Sequence, residues 1–322
     1  MFMLLGFISD NIETSLYFVF ASIILLFLVI DLGILNKSPK KISTKSALYQ
    51  TIFWVVISVI FGFVIYIYDG GTEPMLEYFS AYVTEKALSV DNIFVIILIL
   101  KYFRINELYF HKILFWGIIG AVIFRGIFIF AGVFLVSKLH WILYIFGAFL
   151  IYSGIKLFFE DDEEDFNPED SWVVKFMRKR FKMTRTVQNG RFFIKSPRGF
   201  FFTPLFLVLV LIETTDLIFA VDSIPAAFAI TNSEFILYTS NIFAVLGLRA
   251  MFFLLAGVLD KFHLLQKGLS FVLIFIGFKM ILEIFSLEIP TSLSFFVIII
   301  TLALSIIISI LKPLKQEEEE TV

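Results

Sequence analysis

The sequence has 322 residues, of which 59% are hydrophobic and only 17% are charged, and this composition excludes an ordinary soluble domain. The net charge of −2 gives no indication of nucleic-acid binding. Because the chain has no cysteine, it cannot form disulfides, thiolate metal sites or thiol redox centres. The composition therefore predicts an all-α polytopic membrane protein.

The hydrophobic pattern predicts about nine transmembrane helices, since roughly 20 helical residues cross the bilayer core. We place the spans near residues 14–35, 47–68, 76–100, 112–136, 141–159, 203–230, 235–259, 268–286 and 291–312. Lys and Arg are concentrated in the first, third and fifth connections, which predicts that these loops and the C-terminus are cytoplasmic. The N-terminus is then outside, and we expect the first span to be retained rather than cleaved as a signal peptide.

The sixth predicted span carries the most unusual motif, LIETTDLIFAVDSIPA, with Glu213, Asp216 and Asp222 inside an apolar run. A carboxylate near the bilayer centre costs several kcal/mol unless it is compensated. Three of them cannot all face lipid, so we expect a polar environment inside the helix bundle. Pro225 follows the acids and suggests a broken helix that lines a cavity.

The third predicted span repeats this pattern, because EKALSVDNI aligns with DLIFAVDSI. In this alignment Glu85 corresponds to Asp216 and Asp91 corresponds to Asp222. Further on, Arg125 has a counterpart in Arg249. Spans three to five and six to eight would therefore form two three-helix repeats, and the loop charges give them opposite orientations, as in many secondary transporters. Antiparallel third and sixth spans would bring Glu85 level with Asp222 and Asp91 level with Asp216. The predicted regions are a two-span N-terminal part at 1–75, repeat one at 76–160, a cytoplasmic loop at 161–202, repeat two at 203–287, and the ninth span with the tail at 288–322.

The acids and their neighbours predict a binding site for a hard divalent cation, because every candidate ligand atom is oxygen. The candidate metal ligands are Glu85, Asp91, Glu213, Asp216 and Asp222. Supporting polar residues are Asn92, Thr215, Ser223 and Asn241, and charge-compensating or gating residues are Lys86, Arg125 and Arg249. Clustered carboxylates repel one another, so an empty site should hold protons that entering metal would release. The alternative is that the acids form structural ion pairs with these bases.

The fifth connection is the one region that looks soluble. It opens with the acidic run at 160–170, which either concentrates cations or is simply solvated. The following part interleaves Trp172, Phe176 and Phe181 with basic residues, a composition typical of an interfacial helix on anionic lipid.

The segments EKALSVDNIFV, ETTDLIFAVDSIPA and SNIFAVLGLRAMFFLLAGV resemble the signature segments of the TerC integral membrane protein family, and most closely its Alx branch. The resemblance extends from about residue 15 to 312. It implies manganese export across the bacterial inner membrane, with Glu85, Asp91, Glu213, Asp216 and Asp222 as the acids that handle the metal.

The sequence therefore predicts a Mn²⁺ exporter, coupled to protons, that is not an enzyme and has no prosthetic group. Its expected partners are membrane lipids, divalent metal ions, and secretion machinery or other membrane proteins. Two alternatives stay open: an exporter of a cationic organic solute such as lysine, and a non-transporting membrane adaptor or redox modulator. The lack of cysteine is evidence against redox chemistry but not against an adaptor.

Overall fold

The computed structural model describes residues 43–68, 71–159, 171–184, 186–187, 190–197, 199–256, 264–285 and 289–312, together with positions 20, 22, 168 and 287. The side chains of Tyr68 and Asp91 lie outside this description. So do most of the predicted first span, the acidic run at 160–170 apart from position 168, and the C-terminal tail after 312.

The described part is mainly helical, and its long helices coincide with the predicted second to ninth spans. The helices are α1 Thr44–Tyr68, α2 Thr72–Tyr102, α3 Phe110–Lys138, α4 Ile142–Phe159, α5 Trp172–Arg180, α6 Pro204–Phe228, α7 Glu234–Leu246, α8 Leu248–Leu255, α9 Leu265–Leu282 and α10 Thr291–Leu311. Seven described segments are long and apolar enough to cross a membrane, and α7 with α8 counts as one of them. The prediction of a polytopic all-α membrane protein is confirmed.

Helix α2 has 31 residues but is not among these seven segments, because its apolar part contains Glu85, Lys86 and Asp91. The charges of α2 are tolerated because other helices surround it. Helix α2 packs against α1, α6, α7, α8, α9 and α10. Glu85 is therefore only 2% exposed, and Lys86 donates a hydrogen bond to the Ala244 carbonyl of α7. This central position allows a charged helix to lie inside a membrane bundle.

The helices of the two predicted repeats pair with one another. Helix α2 packs on α6, α3 packs on α7, and α4 packs along most of α9. The last contact is close because both helices carry glycine: a Cβ atom on Gly277 would lie 2.6 Å from the Gly147 carbonyl oxygen. Such reciprocal pairing is what a two-fold relation between the repeats would produce, while their inverted orientation stays a prediction.

The seventh span, rather than the sixth, is discontinuous. Helix α6 runs unbroken from Pro204 to Phe228, so the expected break near Pro225 is wrong. Pro225 lies in the last turn of the helix. Its missing N–H leaves the Val221 carbonyl without one helical hydrogen bond, and few residues follow that a kink could redirect. In the seventh span α7 ends at Leu246 and α8 begins at Leu248, and Gly247 lies between them.

The fifth connection folds onto the ends of the spans. The Ser171 side chain accepts a hydrogen bond from the Val173 N–H and caps α5. A short antiparallel hairpin follows, with strands β1 Phe193–Ser196 and β2 Gly199–Phe202. Only Thr203 separates β2 from α6, so the hairpin lies at the end of a membrane span.

Candidate functional site

The guanidinium group of Arg125 lies between two of the predicted site acids. Arg125 belongs to α3, and its side chain is 1% exposed. Its Nη1 atom forms an ion pair with Glu85 Oε1 of α2. On the other side it binds Asp216 of α6 with two donors, Nη2 to Oδ1 at 3.0 Å and Nε to Oδ2 at 3.3 Å. One cation thus joins the acids of both predicted repeats.

Two asparagines complete this network. Asn92 Nδ2 donates a hydrogen bond to Asp216 Oδ1 at 3.1 Å, and Arg125 Nη1 donates to Asn241 Oδ1 at 3.2 Å. The Asn241 amide is held in turn by its own helix, because its Nδ2 donates to the Leu237 carbonyl. The predicted supporting residues Asn92 and Asn241 therefore do lie beside the acids, and they orient Asp216 and Arg125.

Glu213 lies one turn before Asp216 on α6 and borders a small cavity. The cavity is lined by Asn92, Ile96, Leu114, Gly117, Ile118, Ala121, Ile212, Glu213, Thr215, Asp216, Val245 and Leu248. Two buried acceptor atoms of its lining, Glu213 Oε2 and Asn92 Oδ1, have no hydrogen-bond partner among the described residues. The Thr215 hydroxyl donates to the Ile212 carbonyl at 2.8 Å, which leaves its oxygen lone pairs available.

Gly120 of α3 makes room for the Glu213 carboxylate. A Cβ atom at position 120 would lie only 2.2 Å from Glu213 Oε2 and 2.3 Å from Oε1. The carboxylate therefore packs directly on the α3 backbone, and no side chain larger than hydrogen fits there without moving it. Gly120 was not among the residues that the sequence assigned to the site, because a glycine in an apolar helix carries little signal.

Asp222 lies away from this network. Its Oδ1 accepts a hydrogen bond from the Ser153 hydroxyl of α4 at 2.8 Å. Among the described side chains Glu85 binds Arg125 rather than Asp222, and the expectation that Glu85 and Asp222 lie at the same depth stays a prediction. Ser153 was missed by sequence reasoning because a lone serine in a span carries little signal. The neighbouring Ser223 hydroxyl is buried and has no hydrogen-bond partner in the described part of the chain.

The other predicted bases have different positions. Lys86 does not pair with its neighbour Glu85, because its Nζ donates to the Ala244 carbonyl at 2.9 Å. This ammonium lies at the break between α7 and α8, where a Cβ atom on Gly247 would be 2.5 Å from Nζ. A positive charge is favourable at the carbonyl end of a helix such as α7. Arg249 of α8 is 4% exposed, and the side chain of Asp91 lies outside the described residues.

The described side chains do not assemble into a finished metal-binding cluster. Among these side chains, which do not include that of Asp91, no group of three or more Asp, Glu or His is placed to hold a metal ion. Among the described side chains, Glu85 and Asp216 share the guanidinium of Arg125, and Glu213 lies with Asp216 on the cavity. Buried carboxylates in such an arrangement are stabilised by protons or by cations.

Comparisons with known proteins agree with the motifs. Residues 70–318 match the family model described as the integral membrane protein TerC family. An uncharacterized membrane protein of Rickettsia felis is 44% identical over 296 residues, which cover 92% of this chain and 97% of that protein. A membrane protein of Myxococcus xanthus, STKORF319, is 42% identical and covers 91% of both chains.

The Escherichia coli K12 protein that bears the name "Putative membrane-bound redox modulator Alx" is 40% identical over 298 residues, or 90% of this chain and 92% of that one. No solved structure matches the chain. The family model covers more than half of the sequence and includes both acidic motifs. The chain therefore belongs to the TerC family of integral membrane proteins.

Proposed function

We propose that this protein is a divalent-cation transporter that exports Mn²⁺ across the bacterial inner membrane in exchange for protons. The observation that carries the proposal is a pair of buried acceptors in the lining of one small cavity, Glu213 Oε2 and Asn92 Oδ1, which have no hydrogen-bond partner among the described residues. Buried acceptors without donors are costly in a protein interior. A cation that enters the cavity would satisfy both of them.

The chemistry of the lining favours a hard ion. The cavity offers carboxylate oxygens from Glu213 and Asp216, an amide oxygen from Asn92 and a hydroxyl oxygen from Thr215. Carboxylate, amide and hydroxyl oxygens suit Mg²⁺, Ca²⁺ and Mn²⁺ better than Zn²⁺ or copper, which prefer nitrogen and sulfur. The choice of Mn²⁺ within this class comes from the resemblance to the family.

Arg125 acts in this proposal as a cation that belongs to the protein. In the structure it pairs with Glu85 and Asp216 at once. An entering ion competes with the guanidinium for Asp216, while Glu85 keeps the guanidinium compensated. The exchange leaves neither the acid nor the base alone in the bundle, and an unpaired buried charge would cost several kcal/mol.

Proton exchange follows from the charge balance. Glu85 and Asp216 share one guanidinium and Glu213 lies beside Asp216 on the cavity, so protons on these acids would lower the negative charge of the site before the ion binds. A divalent cation brings two positive charges and removes the need for those protons. Binding of the metal ion would thus release protons, so that the metal ion and the protons cross the membrane in opposite directions.

A null host with sensitised manganese homeostasis tests this function. Cells that express the wild-type chain should survive added Mn²⁺ and contain less manganese by mass spectrometry than cells with an empty vector. Lower intracellular lysine with unchanged manganese would indicate an exporter of cationic solutes. If both contents stay unchanged while the protein is in the membrane, transport is excluded and an adaptor role gains support.

A further inference from the structure

The segment between α4 and α6 exposes a large aromatic surface that the proposed transport does not use. Trp172 and Phe176 of α5 are 69% and 54% exposed, and Phe193 and Phe200 of the hairpin are 53% and 50% exposed. Exposed aromatic groups of this extent mark a contact surface rather than an ordinary solvated loop.

The other face of α5 is fixed to the protein. Val173, Val174 and Met177 are buried in a core that they share with Leu205 and Val208 of α6. Residues 172 and 176 are one helical turn apart and lie on the face opposite this core. The orientation of α5 is therefore set by packing, and Trp172 and Phe176 are presented outwards by the fold.

A continuous series of ring contacts links the exposed aromatics to the membrane span. Phe176 contacts Phe181, which contacts Phe202, and Phe202 contacts Phe206 of α6, with ring centroids 6.4, 5.1 and 4.8 Å apart. On the hairpin, Phe200 contacts Phe202 at 5.9 Å and Phe193 at 5.4 Å. Since Phe206 lies in the first turn of α6, a helix long and apolar enough to span a membrane, the aromatic surface adjoins the end of a span, where interfacial aromatic belts occur.

The same segment has one sign of charge. Between residues 171 and 203 the sequence contains no Asp or Glu. Its basic residues are Lys175, Arg178, Lys179, Arg180, Lys182, Arg185, Arg191, Lys195 and Arg198. Each Lys or Arg near an anionic bilayer surface contributes about 1 kcal/mol of attraction.

We propose that α5 and the hairpin β1–β2 form a docking surface for anionic phospholipids on the leaflet that the loop charges predict to be cytoplasmic. The aromatic rings would lie at the headgroup level, and the basic side chains would bind the lipid phosphates. Charge complementarity and continuity with α6 favour lipid over a protein partner. This inference does not depend on the transported substrate.

Fluorescence quenching in reconstituted vesicles tests the surface, with Trp172 as the reporter. The full-length protein is placed in phosphatidylcholine vesicles that contain phosphatidylglycerol, and bromine labels are carried by one lipid or the other at equal mole fraction. The signal of Trp172 is the difference between the wild-type chain and the Trp172→Phe chain. Labelled phosphatidylglycerol should quench this signal about twofold more than labelled phosphatidylcholine, because anionic lipid is enriched at the surface.

Charge variants decide whether the basic residues cause the preference. The combined variant Lys179→Gln, Arg180→Gln and Lys182→Gln removes three exposed charges from the segment and should abolish the preference. The matched control Lys45→Gln, Lys101→Gln and Arg104→Gln removes three exposed charges elsewhere and should retain it. Equal quenching by both labelled lipids, or no quenching of Trp172 by either, would overturn the proposal. The second result would also be expected if the acidic run at 160–170 covered the surface.

Discussion

Arg125 is the residue on which the described site depends most. Its guanidinium group binds Asp216 with two donors and also contacts Glu85 and Asn241, although it is almost completely buried. Sequence reasoning left open whether this base compensates charge or takes part in gating. The geometry allows both roles, because the planar guanidinium group can bind two carboxylates and still release one of them.

The Arg125→Lys substitution separates the two roles. Lysine keeps the charge but cannot reproduce the two-donor contact, and each lost hydrogen bond to a charged group is worth about 1.5–3 kcal/mol. We expect normal membrane abundance with slower Mn²⁺ transport, measured as flux per molecule of inserted protein. Transport at the wild-type rate would show that Arg125 supplies charge alone.

The acids should respond differently to neutralisation. Glu213 has no ion pair among the described side chains, so Glu213→Gln strands no base and should insert normally while transport falls. Glu85→Gln removes one of the two acidic partners of Arg125, so it should lower membrane abundance. Quantitative immunoblotting of membranes beside a manganese survival assay checks both. Wild-type protection by Glu213→Gln would exclude that carboxylate from the ion site.

At the scale of elements, two glycines of α3 allow a controlled test of the contact between α3 and α6. Gly120 and Gly126 lie on the same helix, but a Cβ atom at 120 would overlap the Glu213 carboxylate, whereas one at 126 would meet nothing within 4 Å. Gly120→Ala should therefore displace Glu213 at a cost of about 1–3 kcal/mol and reduce transport. Gly126→Ala should retain transport and even stabilise α3 by up to about 1 kcal/mol.

Thermal unfolding in detergent and flux in vesicles measure the two effects separately. The Gly120→Ala chain should lose more Mn²⁺ flux than the Gly126→Ala chain when both are inserted in equal amounts. Equal flux would show that the packing of Glu213 against α3 is not needed for transport.

The spans were predictable because bilayer thickness sets the length of an apolar run. The predicted spans 112–136 and 291–312 correspond to Phe110–Lys138 and Thr291–Leu311. Glu85, Glu213 and Asp216 could be singled out from the sequence, since acids inside apolar spans are rare, but Asp222 lies away from Glu85 and Asp216 in the fold. Arg125 was predicted as a compensating base, but which acids it binds was not, because the rotation of α3 that brings it between Glu85 and Asp216 leaves no trace in the hydrophobic pattern. The break at Gly247 was missed for a similar reason: Lys86, which lies against it, comes from another helix.

At the scale of the whole molecule, the acids of the site come from both predicted repeats. Glu85 belongs to repeat one and Asp216 to repeat two, and Arg125 joins them. A substrate site at the interface of two repeats is the usual arrangement in alternating-access transporters, where one repeat rocks against the other. The alternating-access arrangement also requires that the two repeats have opposite orientations in the membrane, which stays a prediction.

Reporter tags test that orientation. A tag at position 165 and one at the C-terminus should both report cytoplasmic, because the basic residues are concentrated in the odd-numbered loops. A tag at position 72 should report the outside. An external tag at 165 would give the repeats a different relation and contradict the inversion.

Ion flux by the purified protein tests the central claim most directly. Full-length protein is reconstituted into vesicles that contain a metal-sensitive dye, and Mn²⁺ is added outside. The wild-type and Gly126→Ala chains should both admit Mn²⁺ and release protons. Glu213→Gln should lose at least about tenfold in apparent affinity or rate, since even partners outside the ligand shell contribute that much. Wild-type flux no faster than in protein-free vesicles, or equal flux by the wild-type and Glu213→Gln chains, would contradict the account.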